Sequence, residues 1–375
     1  MEYVQERVAT LHDFGDARPA APTDEVAVVV PVTEREHASL AAERVFSELE
    51  RAALARVVVP LRAHESDVGT VARWLDGFDL PLELLWCNAP GVREVLAEAG
   101  LNGPAGKGRD VWLALGVAAR HEYVVVHDAD ATTYTADHVR RLAFPLTRGF
   151  DFVKGYYARV ENRRLYGRLF RLFYAPLLRA LDARHDDPIV DYLGAFRYAL
   201  AGEFAVTGEL AARLRSPPDW GLEVGTLGDA FDAAGFAGSA QVDLGVHEHD
   251  HRAVSGSEGL TGMCDRVADA LFRVLTDHGV APDYERLRAA YRESAAALVE
   301  QYAADAAFNG LTYDRARERE QCRAYESAIG PPGDDDRLPA WRDADLSPDR
   351  LRAAARESLA DATDDAGAAT DQRHD

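Results

Sequence analysis

Lysine is nearly missing from this chain. Of its 42 basic residues only two, Lys107 and Lys154, are lysines, so arginine carries almost every positive charge and the two ammonium groups stand out by position. Cysteine is scarce as well. Cys87, Cys264 and Cys322 fall in no metal-binding spacing, which excludes a disulfide-framed or zinc-finger domain and fits a reducing compartment. All three read as structural. A positive surplus is absent too: with 63 acidic residues the net charge is −21 and the isoelectric point about 5.0. That argues against a nucleic-acid surface, because phosphate neutralisation needs clustered Lys and Arg. It fits a salt-adapted cytoplasm, where a Debye length of roughly 3 Å at 1 M salt screens the self-repulsion. No apolar run approaches the roughly 20 residues of a membrane span, and the opening Met1-Glu2-Tyr3-Val4 lacks the basic and apolar regions of a signal peptide. The expectation is a soluble, cytoplasmic protein with neither membrane nor nucleic acid as partner.

The 375 residues, 47% of them hydrophobic, suffice for one large α/β domain with appendages. Val26 to Val32 reads as a buried strand, and Arg35 to Arg51 follows with Leu40, Ala41, Val45, Phe46 and Leu49 on one helical face. Strands at Arg56 to Leu61 and Leu82 to Cys87, with helices at Asp67 to Leu75 and Val92 to Ala99, repeat the unit. A loop with Gly103, Pro104, Gly106 and Gly108, a helix from Arg109 to Arg120 and a strand ending at Asp128 come next. This alternation predicts a mostly parallel sheet flanked by helices on both faces. A helix at Asp137 to Leu146, a strand at Phe152 to Tyr157, a helical stretch from Arg164 to Arg184, a strand at Ala240 to Val246 and a helical region over Cys264 to Ala304 complete the pattern. From Gly330 onward the Asp-rich composition reads as a loosely attached tail.

The most telling stretch is Tyr123-Val124-Val125-Val126-His127-Asp128-Ala129-Asp130, an apolar strand running into two carboxylates one residue apart. Mg²⁺ and Mn²⁺ take oxygen ligands and keep positions open for substrate phosphates, and open α/β sheets bind ligands at the carboxyl ends of their strands. Lys107 lies in Gly103-Pro104-Ala105-Gly106-Lys107-Gly108 ahead of a helix, where an ammonium can meet a phosphate. The Walker spacing fails, because Gly108 stands where a hydroxyl residue is required. His247-Glu248-His249-Asp250-His251 can supply an imidazole to a metal or be an acidic surface loop. Glu223, between Gly221 and Gly225 and near Trp220, reads as a pocket carboxylate or as a helix-start glutamate.

Taken together, the motifs resemble the GT-A-fold, family-2-like nucleotide-sugar glycosyltransferases, and most closely the retaining glucosyl-3-phosphoglycerate synthases and their mannosylglycerate-forming relatives. The carriers are Val28-Val29-Val30-Pro31, Gly106-Lys107-Gly108, Asp128-Ala129-Asp130, Lys154-Gly155-Tyr156-Tyr157-Ala158-Arg159, Gly167-Arg168, Leu200-Ala201-Gly202-Glu203, Trp220 to Gly225 and Ala240 to Gly245. The resemblance implies a Rossmann-like GT-A domain over 24–255, with a nucleotide-binding half at 24–135 and an acceptor half at 136–255. A helical extension at 256–329 and an acidic flexible tail at 330–375 follow. It implies that Pro31, Val32, Thr33 and Glu34 cradle the donor base, with Lys107, Asp128 and Ala129 on the nucleoside diphosphate. Asp130 and His249 would bind Mg²⁺ or Mn²⁺. Gly167, Arg168, Leu200 and Gly202 would hold the acceptor, and Glu223, with Asp130, would serve catalysis. The implied donor is UDP-glucose or GDP-mannose, the implied acceptor is small and anionic, 3-phosphoglycerate first, and a homodimer is compatible with it.

Departures accompany the matches. The threonine that helps hold phosphoglycerate is Phe170 here, the family tyrosine is Trp220, and Arg171 offers a substitute anion contact. Two other readings stand beside this one. Asp128-Ala129-Asp130-Ala131-Thr132 also satisfies the opening motif of haloacid-dehalogenase-type phosphatases, whose first aspartate is the nucleophile. That motif sits near a domain start, whereas three βα units precede it here, and Gly228-Asp229-Ala230-Phe231-Asp232 has the wrong spacing for the partner carboxylates. A non-catalytic sugar-nucleotide-binding protein is the remaining class.

Overall fold

A computed structural model describes residues 5–248 and 257–371. β1 (Ala9–Leu11) lies at one sheet edge, and the core begins with β2 (Val26–Val29), buried at all four residues. Strands covered on both faces are unbroken apolar runs for that reason. Pro31 turns the chain into β3 (Val32–Thr33), and α1 (Leu40–Leu49) starts later than its apolar spacing suggested. Ser39 sets that start by accepting the N–H groups of Ala41 and Ala42. The alternation continues through β4 (Arg56–Arg62), α2 (Glu65–Leu75), β5 (Leu82–Trp86), α3 (Pro90–Glu98), α4 (Lys107–Ala118) and β6 (Tyr123–Val126).

The second half holds α5 (Asp137–Leu146), β7 (Phe152–Ala158) and a small hairpin of β8 (Val160–Glu161) and β9 (Arg164–Leu165). Then come α6 (Ala175–Asp182), α7 (Pro188–Gly194), β10 (Phe204–Thr207), α8 (Gly208–Ala211), α9 (Leu222–Ala233) and β11 (Ser239–Val246). α10 (Ser257–Asp277), α11 (Tyr284–Phe308), α12 (Arg315–Tyr325) and α13 (Pro348–Asp371) form the C-terminal part. The main sheet orders its strands β1, β11, β7, β10, β6, β2, β4 and β3, with β5 also on β4. β10 alone runs antiparallel, pairing β6 on one side and β7 on the other. The mostly parallel sheet between helices is the expected architecture. No helix among the described residues is long and apolar enough to cross a membrane.

Three segments differ from expectation. The stretch read as one helix from Arg164 to Arg184 begins with β9 and a single π turn at Phe170–Tyr174 before α6. Pro176 has no N–H for the Leu172 carbonyl four residues back, and the Tyr291 hydroxyl donates to that oxygen at 2.7 Å. The helical region from Cys264 to Ala304 is two helices, because Gly279 takes a left-handed φ of +79° and Asp283 caps α11. The largest difference is the segment read as a flexible acidic tail. Trp341 stacks on Trp112 at 4.4 Å, and each indole donates to backbone of the other segment, Trp112 to Pro339 and Trp341 to Trp112. Gly116 makes the room, since a Cβ there would stand 2.1 Å from the Trp341 ring. α13 then packs on α2, α3 and β5, and Arg352 pairs with buried Glu83. Aspartate content dominated the sequence pattern; a few buried apolar residues, Leu338, Trp341, Leu351 and Ala355, decide the structure.

Candidate active site

Topology alone gathers the candidates. The parallel strands end on one edge of the sheet, where Pro31 follows β2, Arg62 closes β4, Asp128 and Asp130 follow β6 and Arg159 follows β7. Because β10 runs the opposite way, its entry, Gly202 and Glu203, reaches the same edge. There a cleft of about 530 Å³ is lined by Pro31, Val32, Thr33, Lys107, Asp128, Ala129, Asp130 and Trp220.

Lys107, the first residue of α4, is the hub. Its Nζ lies 2.6 Å from Asp128 Oδ1 and 3.3 Å from Glu223 Oε1, tying the aspartate loop to the start of α9. Burial disfavours its charge, but Asp128 and Glu223 outweigh that and hold the ammonium well above its usual range. Asp130 is pushed the other way. Burial first, then the neighbouring Asp128 and Glu203 carboxylates, raise its pKa, with Lys107 and Arg159 opposing. Glu203, 1% exposed, is raised by the same causes, burial and then Asp128. Crowded carboxylates of this kind suit a hard divalent cation, which takes oxygen ligands and would relieve their repulsion. Among the described residues no group of three side chains is assembled as a metal cage. His249, the second expected ligand, lies outside the described residues.

The glycines earn their places by close approach. A Cβ at Gly202 would stand 2.2 Å from Asp128 Oδ2, and one at Gly108 would stand 1.9 Å from the Pro217 carbonyl oxygen. A Cβ at Gly106 would stand 2.5 Å from Pro218 O and 2.8 Å from Asp219 Cβ, and the Arg109 N–H donates to Pro218 O at 2.9 Å. The glycine loop therefore fits against the chain's own 217–219 segment, bringing Asp219 and Trp220 to the cleft beside Lys107.

Other expected residues lie apart. Glu34 does not line the cleft; Glu36 does, accepting the Thr33 hydroxyl at 2.6 Å. Gly167 (φ +71°) sits against Tyr198 and Arg159, and neither it nor Arg168 lines the cleft. Leu200 lies just ahead of Gly202 and is half-buried. Arg171 is not a substitute anion contact: its guanidinium bonds Glu318 at 2.8 Å and the Tyr166 carbonyl at 2.8 Å, beneath Tyr302. Phe170 packs on Tyr174 and Tyr198. Arg62 and Asp110, paired at 3.2 Å in the cleft wall, were missed, and no motif announces them. Burial raises Asp110 to about 6 although Arg62 and Arg109 lower it. His247 is fully buried, stacked on Tyr157 at 4.1 Å and 3.5 Å from Glu203.

No protein-family model matches the chain. It is 32% identical to the glucosyl-3-phosphoglycerate synthase of Methanococcoides burtonii over 91% of this chain and 93% of that one. It is 35% identical to the synthase of Persephonella marina, covering 80% and 79%. Among solved structures it resembles the Mycobacterium tuberculosis synthase in complex with Mn²⁺, UDP and glucosyl-3-phosphoglycerate, with TM-score 0.54, 24% identity, and 73% of this chain and 89% of that one covered. It also resembles mannosyl-3-phosphoglycerate synthase from Rubrobacter xylanophilus, with TM-score 0.52, 24% identity, and coverage of 69% and 76%. These last two likenesses concern the GT-A fold. Sequence identity sustained over nearly the whole length of both chains settles the family: this chain belongs to the glucosyl-3-phosphoglycerate synthases.

Proposed function

We propose that this protein transfers glucose from UDP-glucose to 3-phosphoglycerate, with Mg²⁺ or Mn²⁺ bound at the aspartate pair. The observation that carries the reading is the Lys107 clasp. A lone ammonium at the mouth of a cleft, held by Asp128 and Glu223, is placed to turn toward a diphosphate while the carboxylates turn to metal and sugar. The base would lie along Pro31, Val32 and Thr33, with the exposed Trp220 ring available for stacking. Lys107 and Asp128, with Ala129, would meet the diphosphate, and Asp130 with His249 would hold the cation. When bound, that cation neutralises charge building on the departing diphosphate. Glu223 would face the sugar and the acceptor hydroxyl.

Gly167 and Arg168 would receive the acceptor's phosphate or carboxylate, where a guanidinium fork is the fitting donor. Leu200 and Gly202 would close that side. The haloacid-dehalogenase reading lacks support here, because Asp229 is engaged by Arg215 at 2.6 Å. The test is release of UDP or GDP in high salt with Mn²⁺ or Mg²⁺. UDP-glucose and GDP-mannose are each offered with 3-phosphoglycerate, glycerate or no acceptor, beside Asp130→Ala. Release dependent on UDP-glucose, 3-phosphoglycerate and Asp130 is expected; phosphate liberated from a sugar phosphate with no nucleotide release would overturn it.

A further inference from the structure

The chain's second lysine is stranger than its first. Lys154 sits in the middle of β7 with no exposed surface, and its Nζ has no hydrogen-bond partner among the described residues. Its register partners are Phe204 on β10 and Gln241 on β11, so it lies one strand from Glu203 at the edge that builds the cleft. The next residue, Gly155, donates its N–H to the Glu203 carbonyl at 2.9 Å. Its cation–π contact is loose, 5.7 Å from Nζ to the Phe204 centroid, near the roughly 6 Å limit of such contacts. Burial lowers this ammonium to about 8, while Glu223 and then Glu203 favour its charge. An unpaired charge in the interior costs several kcal/mol, so packing alone does not account for a lysine there.

The neighbouring Lys107 shows what the second ammonium is for. In the structure Lys107 supplies the cation that Glu223 faces. Once Lys107 turns to a diphosphate, the Glu223 carboxylate, its side chain 12% exposed, loses that ammonium. We infer that Lys154 is a positioning residue for glucosyl transfer: it takes over Glu223 when the donor draws Lys107 away, holding that carboxylate aimed at the reacting sugar. This rests on the reading of the cleft given above. In this scheme the two lysines share one carboxylate in turn, which explains why both converge on one site in a chain otherwise built with arginine.

The test is kinetic, with wild type measured first, because absence of transfer from UDP-glucose to 3-phosphoglycerate by wild type would refute the functional reading itself. With transfer established, Lys154→Met keeps the side-chain volume and removes the charge. Its kcat is expected to fall tenfold or more, with KM for UDP-glucose and affinity for UDP with Mn²⁺ within about threefold of wild type. Its melting temperature should hold or rise, since an uncompensated buried charge is gone. A merely structural lysine would show the reverse pattern. In the Lys154→Met, Glu223→Gln double variant the losses should not add, because Lys154 acts through Glu223. Full turnover by Lys154→Met, additive losses in the cycle, or failure of both Lys154→Met and Lys154→Gln to fold would overturn the inference.

Discussion

One methyl group at Gly202 should disable the cleft. The φ of Gly202 is outside the left-handed region, so alanine meets no backbone penalty and the effect is steric. Its Cβ would stand 2.2 Å from Asp128 Oδ2, 2.7 Å from Cγ and 2.9 Å from Oδ1, whereas ordinary contact starts at 3.4 Å. The carboxylate must therefore retreat by about 1 Å or turn, and its 2.6 Å bond to Lys107 goes with it. Misplacement of that size in a catalytic constellation costs on the order of 10²-fold in rate, and overpacking costs roughly 1–3 kcal/mol of stability. The assay is UDP release at saturating 3-phosphoglycerate, with UDP and Mn²⁺ affinity by calorimetry and a urea melt alongside. Gly202→Ala should lose about a hundredfold in kcat/KM and bind UDP with Mn²⁺ more weakly, while remaining folded. Wild-type activity and affinity in a folded Gly202→Ala protein would refute the reasoning, because Asp128 would then have no fixed place to lose.

Arg171→Ala should be destabilising by roughly 3–5 kcal/mol, since it strands the buried Glu318, and should leave KM for 3-phosphoglycerate within about twofold among folded molecules; a urea melt and acceptor titration check both. Trp341→Ala removes the ring stacked on Trp112 and should cost roughly 3–5 kcal/mol, with hydrogen exchange rising across α13 while β6 stays protected. His138, 5% exposed, is lowered to about 3, by burial first and then by His247, from an ordinary 6.5. The unfolded chain binds a proton there that the folded chain does not, so this histidine's stability is present above pH 6.5 and lost as pH falls toward about 3. Wild type should therefore lose stability relative to His138→Phe on acidification, by about 1.4 kcal/mol per pH unit at most; paired urea melts read it, and a pH-independent difference would contradict the burial argument.

Much of this fold was legible because its strands are short and covered on both faces. Val26 to Val29, Val57 to Val59 and Val124 to Val126 announce themselves as apolar runs, and the carboxylates after the last run follow from where such sheets bind ligands. β10 was not legible. Phe204 to Thr207 is only four residues between Gly202 and Gly208, and its antiparallel direction is a tertiary choice that local pattern does not encode. Yet that strand brings Gly202 and Glu203 to Asp128. Arg171 shows the same limit from the other side: in sequence it is one more arginine beside a glycine-arginine motif, and only the arrival of α12, with Glu318, decides that it holds two elements together.

Acceptor recognition is where these two limits meet. Phe170, where the resemblance implies a threonine, is a ring packed on Tyr174 and Tyr198, and Arg171 is committed to Glu318, so neither can give a proton to an anion at that place. On the acceptor side proposed above, Arg168 and Arg159 stand as candidate cations. Arg159 is half-buried, bonds Tyr198, and is held above its usual range by Tyr198 and its neighbours although burial opposes its charge. Tyr198 touches Phe170, Gly167 and Arg159 together. The aromatic ring at position 170 therefore braces the tyrosine that orients this arginine. On this account the missing threonine is replaced by stiffness: the pocket would hold its anion with fewer donors, each more firmly placed.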